Sequence, residues 1–162
     1  MRWLPARRLC AGRASRTTLL AAGLILLLGG CVTAPPVTPP GGFAVYDEQE
    51  VVRAVSPEGV RYLVRYADND PQQNLAFWRE ALALHLERSG YAARAEQQFD
   101  APAGEGVLFE WVAPVGEEDW VYLTAVVPDG DRLIVAEVAG PVEFYECYHT
   151  GIRRSLESIG GE

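Results

Sequence analysis

Three strand-like stretches, 107–113, 120–127 and 133–138, are divided only by Gly116-Glu117-Glu118-Asp119 and Pro128-Asp129-Gly130-Asp131. This spacing constrains the fold more than any other feature. A parallel crossover needs about a dozen residues or more, whereas antiparallel neighbours need only a turn, so an antiparallel meander is expected. In the central stretch Trp120, Tyr122, Thr124 and Val126 alternate with Val121, Leu123, Ala125 and Val127. Neither face is strongly polar, and the sheet is expected to be covered on both sides.

Further strands are expected upstream. Residues 51–55 and 60–67 flank Ser56-Pro57-Glu58-Gly59, whose proline and glycine suit a turn. In the second of these, Val60, Tyr62, Val64 and Tyr66 share one face and Arg61, Leu63, Arg65 and Ala67 the other. A weaker strand is expected over 91–99, followed by a Pro/Gly loop over 102–106.

Two helices complete the pattern. Asp70-Pro71-Gln72-Gln73 reads as cap, first helical position and capping box, for a helix running to about 89 and stopped by Gly90. At roughly 100° per residue, Leu75, Trp78, Leu82, Leu86 and Ser89 line one stripe with His85 on its flank. Phe77 and Leu84 fall on nearly the opposite side, where they are expected either to be covered from within the chain, by the segment 43–46, or to contribute to a contact site, cover being favoured. The second helix is expected over 141–159, with Phe144, Tyr145, Tyr148, Ile152, Ser155, Leu156 and Ile159 as its core stripe. The expected fold class is thus α+β, an antiparallel sheet of about five to six strands sandwiched by two main helices.

The chain's beginning determines its address. Arg2, Arg7, Arg8, Arg13 and Arg16, with no acid among them, precede an apolar run over 19–28. This is the layout of a secretory signal, and the run is shorter than the roughly 20 residues a membrane span needs. Leu28-Gly29-Gly30-Cys31 resembles the lipobox of bacterial lipoproteins. The resemblance implies cleavage before Cys31, a thioether link from Cys31 to diacylglycerol and acylation of the new N-terminus, hence a bilayer as partner. Val32 rather than Asp follows the cysteine, which by the same resemblance favours the outer membrane, facing the periplasm. The expected organisation is a signal peptide over 1–30, lipidated Cys31 with a Pro/Gly-rich linker over 31–42, and one domain over 43–162. In the linker, Pro35, Pro36, Pro39 and Pro40 favour an extended, semi-rigid spacer that holds the domain off the membrane.

From Cys31 onward the chain has 9 arginines against 22 acids, a net charge of −13. Such a surface repels phosphate backbones, and nucleic-acid binding is disfavoured. Cys147 is the only other cysteine left after cleavage, so no intramolecular disulfide is expected with Cys31 alkylated.

The order strand-strand, helix, four strands, helix, with the apolar helical ending over 144–156, resembles the PsbP-like fold, which includes bacterial lipoproteins of the DcrB type. The resemblance implies binding or assembly rather than catalysis. A cystatin-like or other helix-on-sheet α+β domain is the competing architecture.

No nucleophile elbow, metalloprotease motif, Cys-x-x-Cys, P-loop or dinucleotide fingerprint occurs, and the absence of lysine removes a Ser/Lys mechanism. Cys147 and His149 stand two apart on a helix and point away from each other, so they cannot share a centre. His85 is expected to be a packing residue. Arg61 and Arg65, with Glu110 and Glu137 on other strands, are candidates for cross-sheet ion pairs or an anion-binding patch, pairing being favoured. The acidic turns 68–70 and 129–131 lack a full calcium loop. No metal, cofactor or enzymatic activity is expected. The expected function is an envelope-tethered binding or assembly module for an unknown envelope protein. The rival is a small-ligand receptor or envelope enzyme with an aromatic-lined pocket of Trp78, Trp111, Trp120 and Tyr122. Phe77, Trp111 and Trp120 are the candidate contact residues.

Overall fold

The computed structural model describes residues 33–116 and 118–161. The signal segment and Leu28, Gly29, Gly30 and Cys31 lie outside the described residues. In chain order the elements are β1 (Ala44–Val45), β2 (Val51–Val55), β3 (Arg61–Asp68), α1 (Leu75–Arg88), β4 (Ala92–Ala101), β5 (Gly104–Val115), β6 (Glu118–Asp129), β7 (Arg132–Pro141) and α2 (Val142–Leu156). The strands form one sheet in the order β1-β2-β3-β7-β6-β5-β4, antiparallel at every junction. The fold is the expected α+β arrangement, with seven strands rather than five to six. The extra one, β1, has only two residues, too few to show alternation in the sequence.

Two differences from expectation have local causes. The loop over 102–106 is a tight hairpin, because β4 runs to Ala101 and β5 starts at Gly104. Gly106 serves close packing there: a Cβ on it would lie 2.7 Å from the Phe99 ring. The start of α1 also moves. Asn74 rather than Asp70 caps it, its Oδ1 accepting from the Phe77 N–H at 3.0 Å. Asn69, almost fully buried, explains the shift. Its Oδ1 accepts from the Gln73 N–H and from Trp78 Nε1, while its Nδ2 donates to the Gln73 and Gly130 carbonyls. Gln73's backbone is thereby committed outside the helix, and all four amide positions of Asn69 are filled. The same residue joins the two acidic turns, since its N–H donates to the Asp131 carbonyl.

Alternation gives the sheet two cores. One face presents Tyr62, Val64, Leu108, Leu123, Ala125, Ile134 and Val138 to Tyr145, Ile152 and Leu156 of α2 and to Ile159 just beyond it. The other presents Val107, Phe109, Trp111 and Val126 to Leu75, Trp78, Leu82 and Leu86 of α1. Glu110 is buried on the α2 side, where one carboxylate oxygen accepts from Tyr145 Oη at 3.0 Å and lies 3.1 Å from His149 Nε2. Arg94 lies 3.7 Å from the other oxygen and also pairs with Glu146. This carboxylate ties β5 to α2 and β4. Cys147 faces outward and His149 inward, as i and i+2 helical positions must.

The proline-rich segment is not a free spacer. Residues 33–42 lie as a strap along the α2 side, with Pro35 and Pro40 buried and Val37 packed on the core. The Ala34 N–H donates to the Gln49 carbonyl and the Gly160 N–H to the Pro36 carbonyl, both at 2.8 Å. The Ser155 hydroxyl donates to the Thr38 carbonyl at 2.6 Å. Its proton is thus committed, so Tyr62 Oη, 2.7 Å away, donates to Ser155 Oγ. Prolines lack donors but keep their carbonyls, and a segment of this kind docks well where the neighbouring surface supplies N–H and O–H groups.

Ser155→Ala leaves both the Tyr62 hydroxyl and the Thr38 carbonyl without a partner. It is expected to cost about 1–3 kcal/mol, more than Tyr62→Phe, which keeps the Ser155–Thr38 bond. Urea unfolding of the two variants checks the order. Burial pushes the Tyr62 phenol up to about 12, only partly offset by its bond to Ser155, and burial plus the Glu110 charge raises Tyr145 further. Raised phenols favour the protonated form of the fold, so the Tyr62 contribution is complete below pH 10 and is lost as pH rises through about 12, and that of Tyr145 is lost at higher pH still. Tyrosinate absorbance should therefore account for fewer than all seven tyrosines until the chain unfolds. Seven ionising together near pH 10 in a folded chain would contradict the packing.

Candidate functional site

The two faces are unequally covered. Helix α1 rests on β5 and β6, leaving the same side of β2, β3 and part of β7 open. The strands' own residues account for this. Towards α1, β5 offers Val107, Phe109 and Trp111, whereas β3 offers Arg61, Leu63 and Arg65. Guanidiniums retain their hydration, and the helix settles where more apolar area is removed from water. Phe77 and Leu84 stay on the outer side of α1, 46% and 47% exposed. The segment 43–46 does not cover them: Phe43 packs edge-on against Tyr62 and Tyr148 on the opposite side of the sheet.

Two concavities open along β3. One, of about 430 Å³, is lined by Tyr46, Arg53, Val55, Arg61 and Leu63, with Ala54 and Tyr62 at its base. Arg53 pairs with Glu48 at 3.5 Å, an exposed contact of the kind that adds little, and Arg61 makes no ion pair among the described residues. The other, of about 290 Å³, lies between α1 and the sheet, where Trp78 and Leu82 face Arg65, Tyr122 and Glu137. His85 stands exposed on this rim instead of packing in the core. Tyr122 Oη donates to Glu137 Oε1 at 2.5 Å, and Arg65 Nε is 3.7 Å from Glu137 Oε2. Burial and the bond to Glu137 push the Tyr122 phenol up to about 12, so it remains a neutral donor across the physiological range. The smaller cleft therefore holds a compensated acid–base pair, and the larger holds two guanidiniums beside aliphatic side chains. Both assemblies suit recognition.

The residues named from sequence are dispersed. Trp111 is 1% exposed and stacks on Phe109 under α1, its indole N–H without an acceptor; it belongs to the core. Phe77 leans on Trp78 from outside the helix. Trp120 is half-buried near the start of β6, on the same face as Tyr122 and opposite Pro141 in register. Trp78, Trp111 and Tyr122 share the α1 side but do not ring one pocket. Of the expected cross-sheet pairs, Arg65–Glu137 forms, whereas Glu110 lies on the other face and cannot meet Arg61 or Arg65. Tyr46 and Arg53 were not among the candidates. The turn over 56–59 sets Arg53 opposite Leu63, and counting back from it would have placed Arg53 beside Arg61.

Neither a family model nor a curated protein matches this sequence. Among solved structures, the chain is similar to a protein of unknown function from Pseudomonas aeruginosa suspected of being a regulator. Identity is 7% and the TM-score 0.56, over 74% of this chain and 96% of that one. It is also similar to the cyanobacterial PsbP, CyanoP, of Synechocystis sp., at 11% identity and a TM-score of 0.49 over 80% of this chain and 94% of that chain. The likeness to the Pseudomonas protein is one of fold, and folds of this kind do not carry function with them.

Proposed function

We propose that this protein is a bacterial envelope lipoprotein, tethered through Cys31 to the outer membrane on its periplasmic side, whose α+β domain is a non-catalytic binding or assembly module. The order of arginines, apolar run and Leu28-Gly29-Gly30-Cys31 supports the tether. The observation that carries the reading is the docked strap. Val32 alone separates Cys31 from Thr33, and by Ala34 the chain is already bonded to Gln49. At about 3.3–3.6 Å per residue, so short a lead holds the domain against the bilayer. A rigid domain held at the surface presents one fixed orientation to its neighbours, which suits assembly. The second reading, a receptor for a small ligand, is favoured by the cavity beside Arg53 and Arg61.

Acyl-chain labelling in whole cells should mark the wild type and leave Cys31→Ser unmarked; equal labelling of both would remove the anchor. Limited proteolysis of the anchored protein should cut slowly within 33–42, because bonded and buried backbone is a poor protease substrate. Rapid release of an intact domain by cleavage there would mean that the segment is a free stalk.

A further inference from the structure

The larger cavity has an arrangement of charge that the proposed anchoring leaves unused. In the β2–β3 register Arg53 lies opposite Leu63 and Val55 opposite Arg61. The four positions form a tile on the side of the sheet that α1 leaves open, with two guanidiniums on one diagonal and two aliphatic side chains on the other. Diagonal neighbours in an antiparallel pair are about 7–8 Å apart at the backbone, too far for direct contact but within reach of one shared group for side chains as long as arginine. Tyr46, half-exposed, forms the wall of this cavity of about 430 Å³.

The surroundings make the tile unusual. From Cys31 onward acids outnumber arginines 22 to 9, yet Arg61 has no carboxylate within ion-pair distance among the described residues, and Arg53 has only the exposed Glu48. Two like charges side by side repel, and this chain has many acids that could have been placed between them. The other cationic side chain on this strand face, Arg65, is neutralised by Glu137. The free positive charge is therefore concentrated next to Val55 and Leu63.

We propose that this cavity binds an anion carried on a short apolar body, such as an alkyl phosphate or an alkyl carboxylate. Arg53 and Arg61 hold the headgroup from two sides, as guanidiniums do with phosphate and carboxylate oxygens. Val55, Leu63 and the Tyr46 ring cover the first few carbons. This goes beyond the anchoring reading and does not depend on it, since the cavity lies wholly within the domain.

Titration calorimetry of the purified full chain with hexyl phosphate tests the proposal, with inorganic phosphate, hexanol and hexyltrimethylammonium as parallel probes. Hexyl phosphate should bind measurably tighter than each of the three. Arg61→Ala and Arg53→Ala should each weaken it by about tenfold or more, the scale of one charged hydrogen bond, and Arg61→Lys by less. Leu63→Ser should weaken hexyl phosphate while leaving inorganic phosphate unchanged. Arg154→Ala, on the distant helix α2, controls for loss of surface charge and should change nothing. Equal affinity for inorganic phosphate would overturn the apolar half of the proposal, and equal affinity for the ammonium or the alcohol its anionic half. Binding indifferent to both Arg61→Ala and Arg53→Ala would place the ligand elsewhere. Failure of acyl labelling at Cys31 would leave all these outcomes interpretable, because none involves the lipid.

Discussion

A strand that is apolar on both faces has to be covered twice, and the rest of this structure follows from how incompletely two helices can do it. A helix with its side chains is about 10 Å across, while neighbouring strands are about 4.8 Å apart, so each helix shelters about two strands. This sheet has seven. On one face α2 lies over β6 and β7, and the strap with Val37 and Phe43 extends the cover towards β2 and β3. On the other, α1 lies over β5 and β6 and nothing described extends it. The remaining strand positions on that side must tolerate water, and Arg53, Arg61 and Arg65 do so. The location of the open face is therefore a consequence of the core.

Much of this was legible in the residues because two periodicities are strong where burial is strong. The alternation over 120–127 announced a sheet covered on both sides, and the stripe from Tyr145 to Ile159 announced the face of α2. The turn chemistry misled where a tertiary contact competes with it. Asp70-Pro71 has the local look of a helix start, but the buried amide of Asn69 takes Gln73's backbone and moves the cap to Asn74. Gly104 and Gly106 look like a loop, but Gly106 is small because the Phe99 ring lies over it. Composition cannot separate these cases. The partner that decides each of them is far away in sequence or hidden by the pairing.

The candidate site was less legible, for a related reason. Aromatic residues are prominent in a sequence, yet in a small domain they are mostly needed for the core, and Trp111 went there. The charged residues were the better guide, and they required register as well as alternation. Arg61, Arg65, Glu110 and Glu137 were correctly placed on strands, but a carboxylate on the third strand from that of Arg61 meets it only if both point the same way and the strands adjoin. Glu110 fails on both counts, being on β5 and facing α2. Arg53 was overlooked because its strand reads as a plain apolar run, although the adjacent turn determines its cross-strand neighbour.

The strap links the two ends of the chain in a way that bears on any tethered role. It begins beside Gln49, at the same end of the sheet as Asp68 and the turn holding Asp129 and Asp131, because Val51 pairs with Arg65 and Asp68 with Arg132. In the proposed anchored state this acidic end lies nearest the lipid headgroups, and like charge keeps it from settling flat on an anionic surface. The strands then run away from the membrane. Arg65 would then be the arginine nearer the bilayer, and Arg61, next to the turn over 56–59, the farther one. The open face would stand upright, with the Arg61 guanidinium raised above the membrane where a soluble ligand or a neighbouring protein could reach it. The bonds that join the strap to Ser155, Ser158 and Gly160 would hold that posture, so that in the proposed anchored state the C-terminal turn, remote in sequence from the cysteine, would set how the domain is presented.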